Sequence, residues 1–412
     1  MRINLWSINY APELTGIGVY NAQLCEHLLA AGDQVTVVTA FPYYPSWRKS
    51  ASDARSLFRT DELKGVSVHR CWHHVPRKPK TLSRIFHEAS FVTTSFLRQL
   101  CLPAPDIYIV VSPPLPLGFA AWILSRLKGR PFVFHVQDLQ PDAAVAMDML
   151  KPGPFIRCLY RLERLSYAKA ALVTAISPEM VDCIRAKGAS RVECFPNGVE
   201  LPGNAAPTSS GSYKATRGLS PAMHIASYAG NLGIKQGLDL VLAAALRLKD
   251  RADVLFVIAG DGADRERLRE ICEREALTNV RLEPVLPEDE HTSLLLDSDL
   301  ALITQKPGSG SLFLPSKLLK TLALGRPIVT NAEDESALAR ACDEGGFGAR
   351  VAPSDADALA RAIVELTADS ERRAAMGDAG REYVRRFERG HVLSSFRSLI
   401  QSLLNAGGQN AR

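Results

Sequence analysis

Two short stretches in the second half of the chain contain the residue types that hold a phosphorylated ligand. Gly230-Asn231-Leu232-Gly233-Ile234-Lys235-Gln236-Gly237 follows an apolar run. Pro307-Gly308-Ser309-Gly310-Ser311 leads into a helix predicted to begin near Pro315-Ser316-Lys317. Glycine lets backbone N–H groups approach an anion, a helix start adds partial positive charge, and lysine adds a full one. Lys235 and Lys317 are therefore candidates to hold a diphosphate, with Asn231 in the same loop and Ser316 at the helix start. The N–H groups of Gly308, Ser309 and Gly310 form a second candidate cradle. Such groups stabilise negative charge that grows on a departing diphosphate. A surface lysine is ordinarily just solvated; the Gly/Ser and helix-start setting singles these two out.

The first half offers fewer reactive groups. Thr15, Gly16 and Gly18 make a flexible turn that can lie opposite a bound donor. Asp138 follows the apolar strand Phe132-Val133-Phe134, at the edge where such sheets bind ligands, and can orient a hydroxyl or a sugar. His135 is a second catalytic candidate, but its place within the strand is more often that of a packed residue. Asp142, after Pro141, suits a helix cap. Two Asp-x-Asp pairs, Asp297-Ser298-Asp299 and Asp355-Ala356-Asp357, have a spacing used for divalent ions. The first ends a helix and the second starts one, so no metal is expected.

These groups must be positioned by alternating elements. In the first half, runs at 3–8, 35–39, 107–111, 132–136 and 172–176 are short, branched and bounded by turn formers, as buried parallel strands are. Helical patterns at 19–31, 82–101, 117–128 and 156–169 lie between them. The stretch 201–221 has a loop composition. The alternation then resumes, with strands predicted at 224–228, 254–259, 280–282, 300–304, 327–330 and 348–351. Helices are predicted at 238–248, 264–275, 288–297, 317–324 and 355–367. Residues 370–404 read as helical, able to pack back across the first half. The fold class is α/β with two doubly wound parallel sheets. The expected division is 1–200, a linker 201–221, 222–388, and a returning helix and tail 389–412.

The chain has 412 residues, 46% hydrophobic and 23% charged, ample for two globular cores. No apolar stretch reaches the 18 residues of a membrane span, and the first apolar run is too short for a signal peptide. Eight scattered cysteines without a C-x-x-C pair point to a reducing, cytoplasmic setting and away from structural zinc or disulfides. Charge is uneven: residues 1–200 carry 23 Lys and Arg against 16 Asp and Glu, the remainder 26 against 28. Arg70, Arg77, Lys78, Lys80, Arg84 and Arg98 face only Glu88, interleaved with Trp72, Leu82, Ile85, Phe86 and Phe91. A basic face beside an apolar one suits an anionic inner-membrane surface, with Arg77, Lys78, Lys80 and Arg84 as its contacts. A surface helix packed on its own domain is the plainer alternative.

A single dinucleotide-binding domain is the structural competitor, and the glycine turn at Gly16 argues against it. Gly16-Ile17-Gly18-Val19-Tyr20-Asn21 puts Asn where a third glycine belongs. The turn starts well after its strand, and no acid ends the second strand, Val37-Val38-Thr39-Ala40. Two Rossmann-like halves facing a cleft, the GT-B architecture, fit better. Pro12-Glu13-Leu14-Thr15-Gly16-Ile17-Gly18, Phe41-Pro42-Tyr43-Tyr44-Pro45, His135-Val136-Gln137-Asp138, Phe195-Pro196-Asn197, the glycine loop 230–238 and Leu314-Pro315-Ser316-Lys317-Leu318 occur in that order. Together, from the first strand to about residue 390, they resemble the retaining GT-B glycosyltransferases of the family 4 type. The nearest branch resembles the colanic-acid-type fucosyltransferases of bacterial exopolysaccharide synthesis.

The resemblance implies a nucleotide-sugar donor, GDP-fucose, and a growing polyprenyl-diphosphate-linked glycan as acceptor, handled on the cytoplasmic face of the inner membrane. It implies a base pocket at Asp261 and Val285, and no cofactor beyond the donor. It also implies front-face chemistry, in which the departing phosphate takes the acceptor proton and the protein supplies no nucleophile. The chain departs from the pattern where the family carries two acids, here Leu312 and Lys320; the second acid holds the ribose. Two other classes stay open: a GT-B nucleotide-sugar 2-epimerase, and a non-catalytic nucleotide- or glycan-binding partner of an assembly complex. Epimerised free donor without acceptor marks the first, and absence of donor turnover the second.

Overall fold

The computed structural model describes residues 1–13, 16–44, 46–77, 81–146, 150, 153–202, 212–308 and 314–409. The chain divides into two compact units, residues 1–198 with 390–412 and residues 199–389.

The first unit runs β1 (Arg2–Trp6), α1 (Ile17–Ala30), β2 (Gln34–Ala40), α2 (Ala51–Ala54), β3 (Phe58–Leu63), β4 (Val66–Cys71), α3 (Thr81–Cys101), β5 (Ile107–Ser112), α4 (Pro116–Lys128), β6 (Phe132–Val136), α5 (Gln140–Ala146), α6 (Pro154–Lys169), β7 (Leu172–Ala175), α7 (Pro178–Ala186) and β8 (Val192–Cys194). Its sheet has the order β3-β4-β2-β1-β5-β6-β7-β8. Every residue of β5 and β6 is buried, which is why those strands are unbroken apolar runs. Three strands lie beyond the five predicted: β3, β4 and β8. β3 and β4 form an antiparallel hairpin through Lys64 and Gly65, both at positive φ. β3 is an edge strand of alternating, mostly charged residues, so no apolar run marks it. The order in which strands are added reverses between β1 and β5.

The second unit runs α8 (Ser212–Thr216), β9 (His224–Ala229), α9 (Leu238–Arg247), β10 (Val254–Ala259), α10 (Arg265–Arg274), β11 (Val280–Glu283), α11 (Glu288–Asp297), β12 (Leu300–Ile303), α12 (Ser316–Ala323), β13 (Ile328–Thr330), α13 (Ala337–Gly345), β14 (Gly348–Arg350), α14 (Ala356–Ala368) and α15 (Ser370–Val384). Its strands, all parallel, are ordered β11-β10-β9-β12-β13-β14. The reversal falls between β9 and β12. Part of the expected linker belongs to this unit: Tyr213 of α8 is buried with Ile225 and Leu255, and its hydroxyl donates to Glu283 at 3.0 Å.

The last helix, α16 (Arg389–Gln409), returns to the first unit. Its Val392, Leu393, Phe396, Ile400 and Leu403 share a core with Ile3, Leu5, Leu24 and Val35. Phe396 stacks on Phe195 with centroids 3.9 Å apart, and Arg397 pairs with buried Asp33 at 2.7 Å. Among the described residues no helix is long and apolar enough to cross a membrane.

Candidate active site

In the second unit, the loops leaving β9, β10 and β12 meet at the reversal of the sheet, where open α/β sheets bind ligands. Gly230 N–H donates to Ala259 O and Leu232 N–H to Asp261 O, both at 2.9 Å. A Cβ on Gly260 would stand 1.8 Å from Gly230 O, so backbone lies on backbone and only glycine fits. Lys235 lies exposed on a 3-10 turn, and its carbonyl accepts from Lys306 N–H at 2.8 Å. Thr304 Oγ1 donates to Gln236 O at 2.8 Å. The glycine loop is thus fastened to the chain leaving β12. Asn231 is exposed in that loop, its carbonyl accepting from the Tyr228 hydroxyl at 2.8 Å.

The second cradle differs from expectation. Gly308 N–H donates to a Glu333 carboxylate oxygen at 3.1 Å, so it already has an anionic partner. Ser309 and Gly310, like Leu312, lie outside the described residues.

Lys317 is the sharpest feature of this edge. α12 begins at Ser316, which is exposed, with no side-chain cap and no acid in its first turn. Lys317 sits in that first turn. Its Nζ is enclosed, has no hydrogen-bond partner among the described residues, and lies 3.7 Å from the centre of the Tyr228 ring. It is also 4.0 Å from where a Cβ on Gly230 would be, so it points at the glycine loop. Enclosure pulls its pKa down to about 7. A cation at a helix start meets charge of its own sign, and a buried charge without a partner is costly. An anion bound between Lys317 and the loop relieves both.

The remaining second-unit candidates lie on loops after β10 and β11. Asp261 accepts from the N–H of Gly262 at 2.8 Å in the loop after β10. Val285 is 63% exposed in the loop after β11. The Asp-x-Asp residues have structural partners: Asp299 pairs with Arg373 and His224, Asp355 caps α14, and Asp357 pairs with Arg247. Among the described residues no group of three or more His, Cys, Asp or Glu is placed to hold a metal.

In the first unit the glycine turn encloses a carboxylate. Gly16, exposed, precedes α1 with φ 71°, and Gly18 is buried inside the helix. A Cβ on Gly18 would lie 3.0 Å from Glu13 Oε2. Glu13 accepts from Asn9 Nδ2 at 2.9 Å and Tyr44 N–H at 3.1 Å, and burial raises its pKa. Gly18 therefore makes room for Glu13 and is not part of an open loop; Thr15 lies outside the described residues. The expectation for His135 as a catalyst is corrected likewise. It is buried in β6, with Nδ1 3.0 Å from Thr174 Oγ1, while Gln137 Nε2 donates to its Nε2 at 2.8 Å. Burial drives its pKa down to about 3, which leaves a neutral core imidazole with both nitrogens occupied. Asp138 sits partly exposed between β6 and α5, at the carboxyl edge of the sheet.

The basic stretch separates into inside and outside. Arg70 is 1% exposed and bonds to Asp61 and to the carbonyl of Ala40, so it serves the core. Arg77 and Arg84 are exposed, as are Leu82 (81%) and Phe86 (57%) on α3. Lys78 and Lys80 lie outside the described residues. The sequence reading missed one cluster, in which the rings of Tyr43, Trp47 and His73 pack around His87 at centroid distances of 4.8, 5.3 and 5.1 Å. Its signal in the sequence was the aromatic run at Phe41–Tyr44.

Residues 15–198 match the glycosyl transferase 4-like domain, and residues 216–383 match the glycosyl transferases group 1. The chain is 34% identical over 373 residues to a protein assigned as the colanic acid biosynthesis glycosyl transferase WcaI of Escherichia coli (strain K12), covering 88% of this chain and 91% of that one. It is 25% identical over 292 residues to the GDP-mannose-dependent alpha-mannosyltransferase of Mycobacterium tuberculosis (strain CDC 1551 / Oshkosh), 70% of each chain. Among solved structures, sucrose-phosphate synthase from Thermosynechococcus elongatus superposes with a TM-score of 0.77 at 18% identity, covering 98% of this chain and 99% of that one. Two parallel-sheet α/β units with these domains and this fold place the chain in the GT-B glycosyltransferases that pair a 4-like with a group 1 domain, enzymes of nucleotide-sugar donors.

Proposed function

We propose that this chain is a retaining, metal-independent glycosyltransferase that moves fucose from GDP-fucose to a polyprenyl-diphosphate-linked oligosaccharide in a colanic-acid-like exopolysaccharide pathway. The observation that carries the donor site is Lys317, an enclosed cation without a partner, at a bare helix start and facing a glycine loop. Lys317 and Lys235 balance the charge that gathers on the departing diphosphate, a task a divalent ion performs elsewhere. Asp138 orients the acceptor hydroxyl, and the departing phosphate takes its proton. The likeness to WcaI supports the pathway, and the GDP-mannose-dependent relative supports guanine as the base.

The reading also seats the enzyme on the cytoplasmic face of the inner membrane. Leu82, Ile85 and Phe86 project from the first turns of α3 beside Arg84 and Arg77, an apolar strip flanked by cations. A thermal-shift panel of GDP, UDP, dTDP and their sugars tests the donor. A ligand bound only by the folded chain raises its stability by RT ln(1 + [L]/Kd), so GDP and GDP-fucose should give the largest shifts. Absence of any shift removes the donor reading. Glycosyl transfer to a lipid-linked acceptor by purified protein, and its absence without acceptor, separates the transferase from an epimerase. Equal sedimentation of wild type and Arg77→Ser/Arg84→Ser with anionic vesicles removes the membrane seat.

A further inference from the structure

Lys317 and Lys320 lie one turn apart on one face of α12, about 5–6 Å between Cβ atoms. Lys317 turns toward the glycine loop, whereas Lys320 turns toward α11. Its ammonium donates to Glu288 Oε1 at 2.6 Å and stands 3.4 Å from His291 Nδ1. Glu288 is the first residue of α11, three positions beyond Val285. Its side chain is 80% exposed even though Lys320 grips one oxygen. The ammonium holds this carboxyl below its ordinary pKa, while enclosure beside Lys320 lowers His291 to about 4. The result is an ionised, outward carboxylate at the start of α11, three residues past Val285 and tied to α12 one turn beyond Lys317.

Resting on the reading of this edge as the donor site, we propose that Glu288, oriented by Lys320, receives the ribose hydroxyls of the donor nucleotide. A nucleotide with its diphosphate at Lys317 and its base toward the Val285 turn, three residues before Glu288, would bring its ribose toward that carboxylate, which Lys320 ties to α12 one turn from Lys317. A vicinal diol offers two O–H donors, and an ionised carboxylate offers two acceptor oxygens with lone pairs to spare. Lys320 engages one oxygen of that carboxylate and leaves the rest of its capacity open. Glu288 is thus a binding residue and Lys320 a positioning residue. The other use of this ion pair, tying α11 to α12, would appear as stability alone.

The test compares GDP and UDP with their 2′,3′-dideoxy counterparts by calorimetric titration of the full chain. Wild type should bind the dideoxy forms about 10- to 100-fold more weakly, the loss expected for hydrogen bonds to a charged acceptor. Glu288→Ala should weaken the parent nucleotides to the level of the dideoxy forms and leave the dideoxy forms unchanged. Lys320→Met should give an intermediate ratio, with KM for donor raised more than kcat is lowered. A Glu288→Ala protein that discriminates as wild type does overturns the assignment, as does a wild type indifferent to the hydroxyls. Equal weakening of both nucleotide forms, matched by a fall in melting temperature, shows a merely structural tie and overturns it too. Failure of wild type to bind GDP, UDP or inorganic pyrophosphate at all is a different result, which sinks the donor site itself.

Discussion

Lys187 in the first unit and Lys317 in the second each lie over a tyrosine, 5.2 Å from the Tyr160 ring and 3.7 Å from the Tyr228 ring. Lys187 closes α7 at its carboxyl end, where a cation is favoured, and it bonds to Asp142 and to Glu163. Those carboxylates raise its pKa above the ordinary lysine value. Lys317 opens α12 at the end where a cation is disfavoured, has no hydrogen-bond partner among the described residues, and is pulled down to about 7. The difference teaches that an enclosed lysine signals a ligand only when the fold has left its charge unanswered. Lys187 is a rivet, whereas the role proposed for Lys317 is to meet an anion.

Substitution should separate the two. Lys187→Met strands Glu163, 1% exposed, without its cation, and should cost about 3–5 kcal/mol in urea unfolding. Folded molecules of that variant should still bind nucleoside diphosphate normally, and adding Glu163→Gln should recover part of the loss. Lys317→Met should do the reverse. Donor affinity should fall about 10- to 100-fold by calorimetry, as for other lost charged contacts, while the ligand-free chain becomes more stable below pH 7. A loss of stability at Lys317 similar to that at Lys187 would erase the contrast.

The pH dependence is a smaller effect with a definite sign. Because the pKa of Lys317 is lowered on folding, the folded chain binds fewer protons than the unfolded chain from about pH 7 to the ordinary lysine value. Stability without ligand should therefore rise with pH across that window, by at most about 1.4 kcal/mol per unit. Diphosphate affinity should move oppositely, falling at most about tenfold per unit above pH 7, with a proton taken up on binding. Calorimetry in buffers of different ionisation enthalpy reads that proton. The raised pKa of Lys187 keeps its contribution intact up to the ordinary lysine value, so it adds no slope at neutral pH.

The strands were legible because parallel strands are covered on both faces and must be continuous apolar runs, as in Ile107–Ser112. β3 escaped notice because an edge strand needs no such run, and β4 because Ser67, His69 and Arg70 interrupt its apolar residues. The glycine turn after β9 and the start of α12 could be placed from sequence, since glycine and helix termini act through local backbone geometry. What could not be read was whether each charge had a partner, because partners come from distant sequence. Arg70 looked like part of a basic face until Asp61 and the carbonyl of Ala40 enclosed it. Gly308 looked open until Glu333 reached its N–H. His135 and Gly18 were resolved by Gln137 and Glu13, and the tie from Lys320 to Glu288 spans 32 residues.

The return of α16 sets an order of assembly. Residues 199–389 form a unit whose two ends are stitched side by side, Val199 N–H to Phe387 O at 2.8 Å and Arg389 N–H to Val199 O at 2.9 Å. That unit can close as soon as it has left the ribosome. The first unit cannot, because Phe195 lacks its stacking partner until Phe396 has been made. Domains usually mature from the amino end during synthesis; here the earlier-made unit keeps part of its interior bare until α16 has been made.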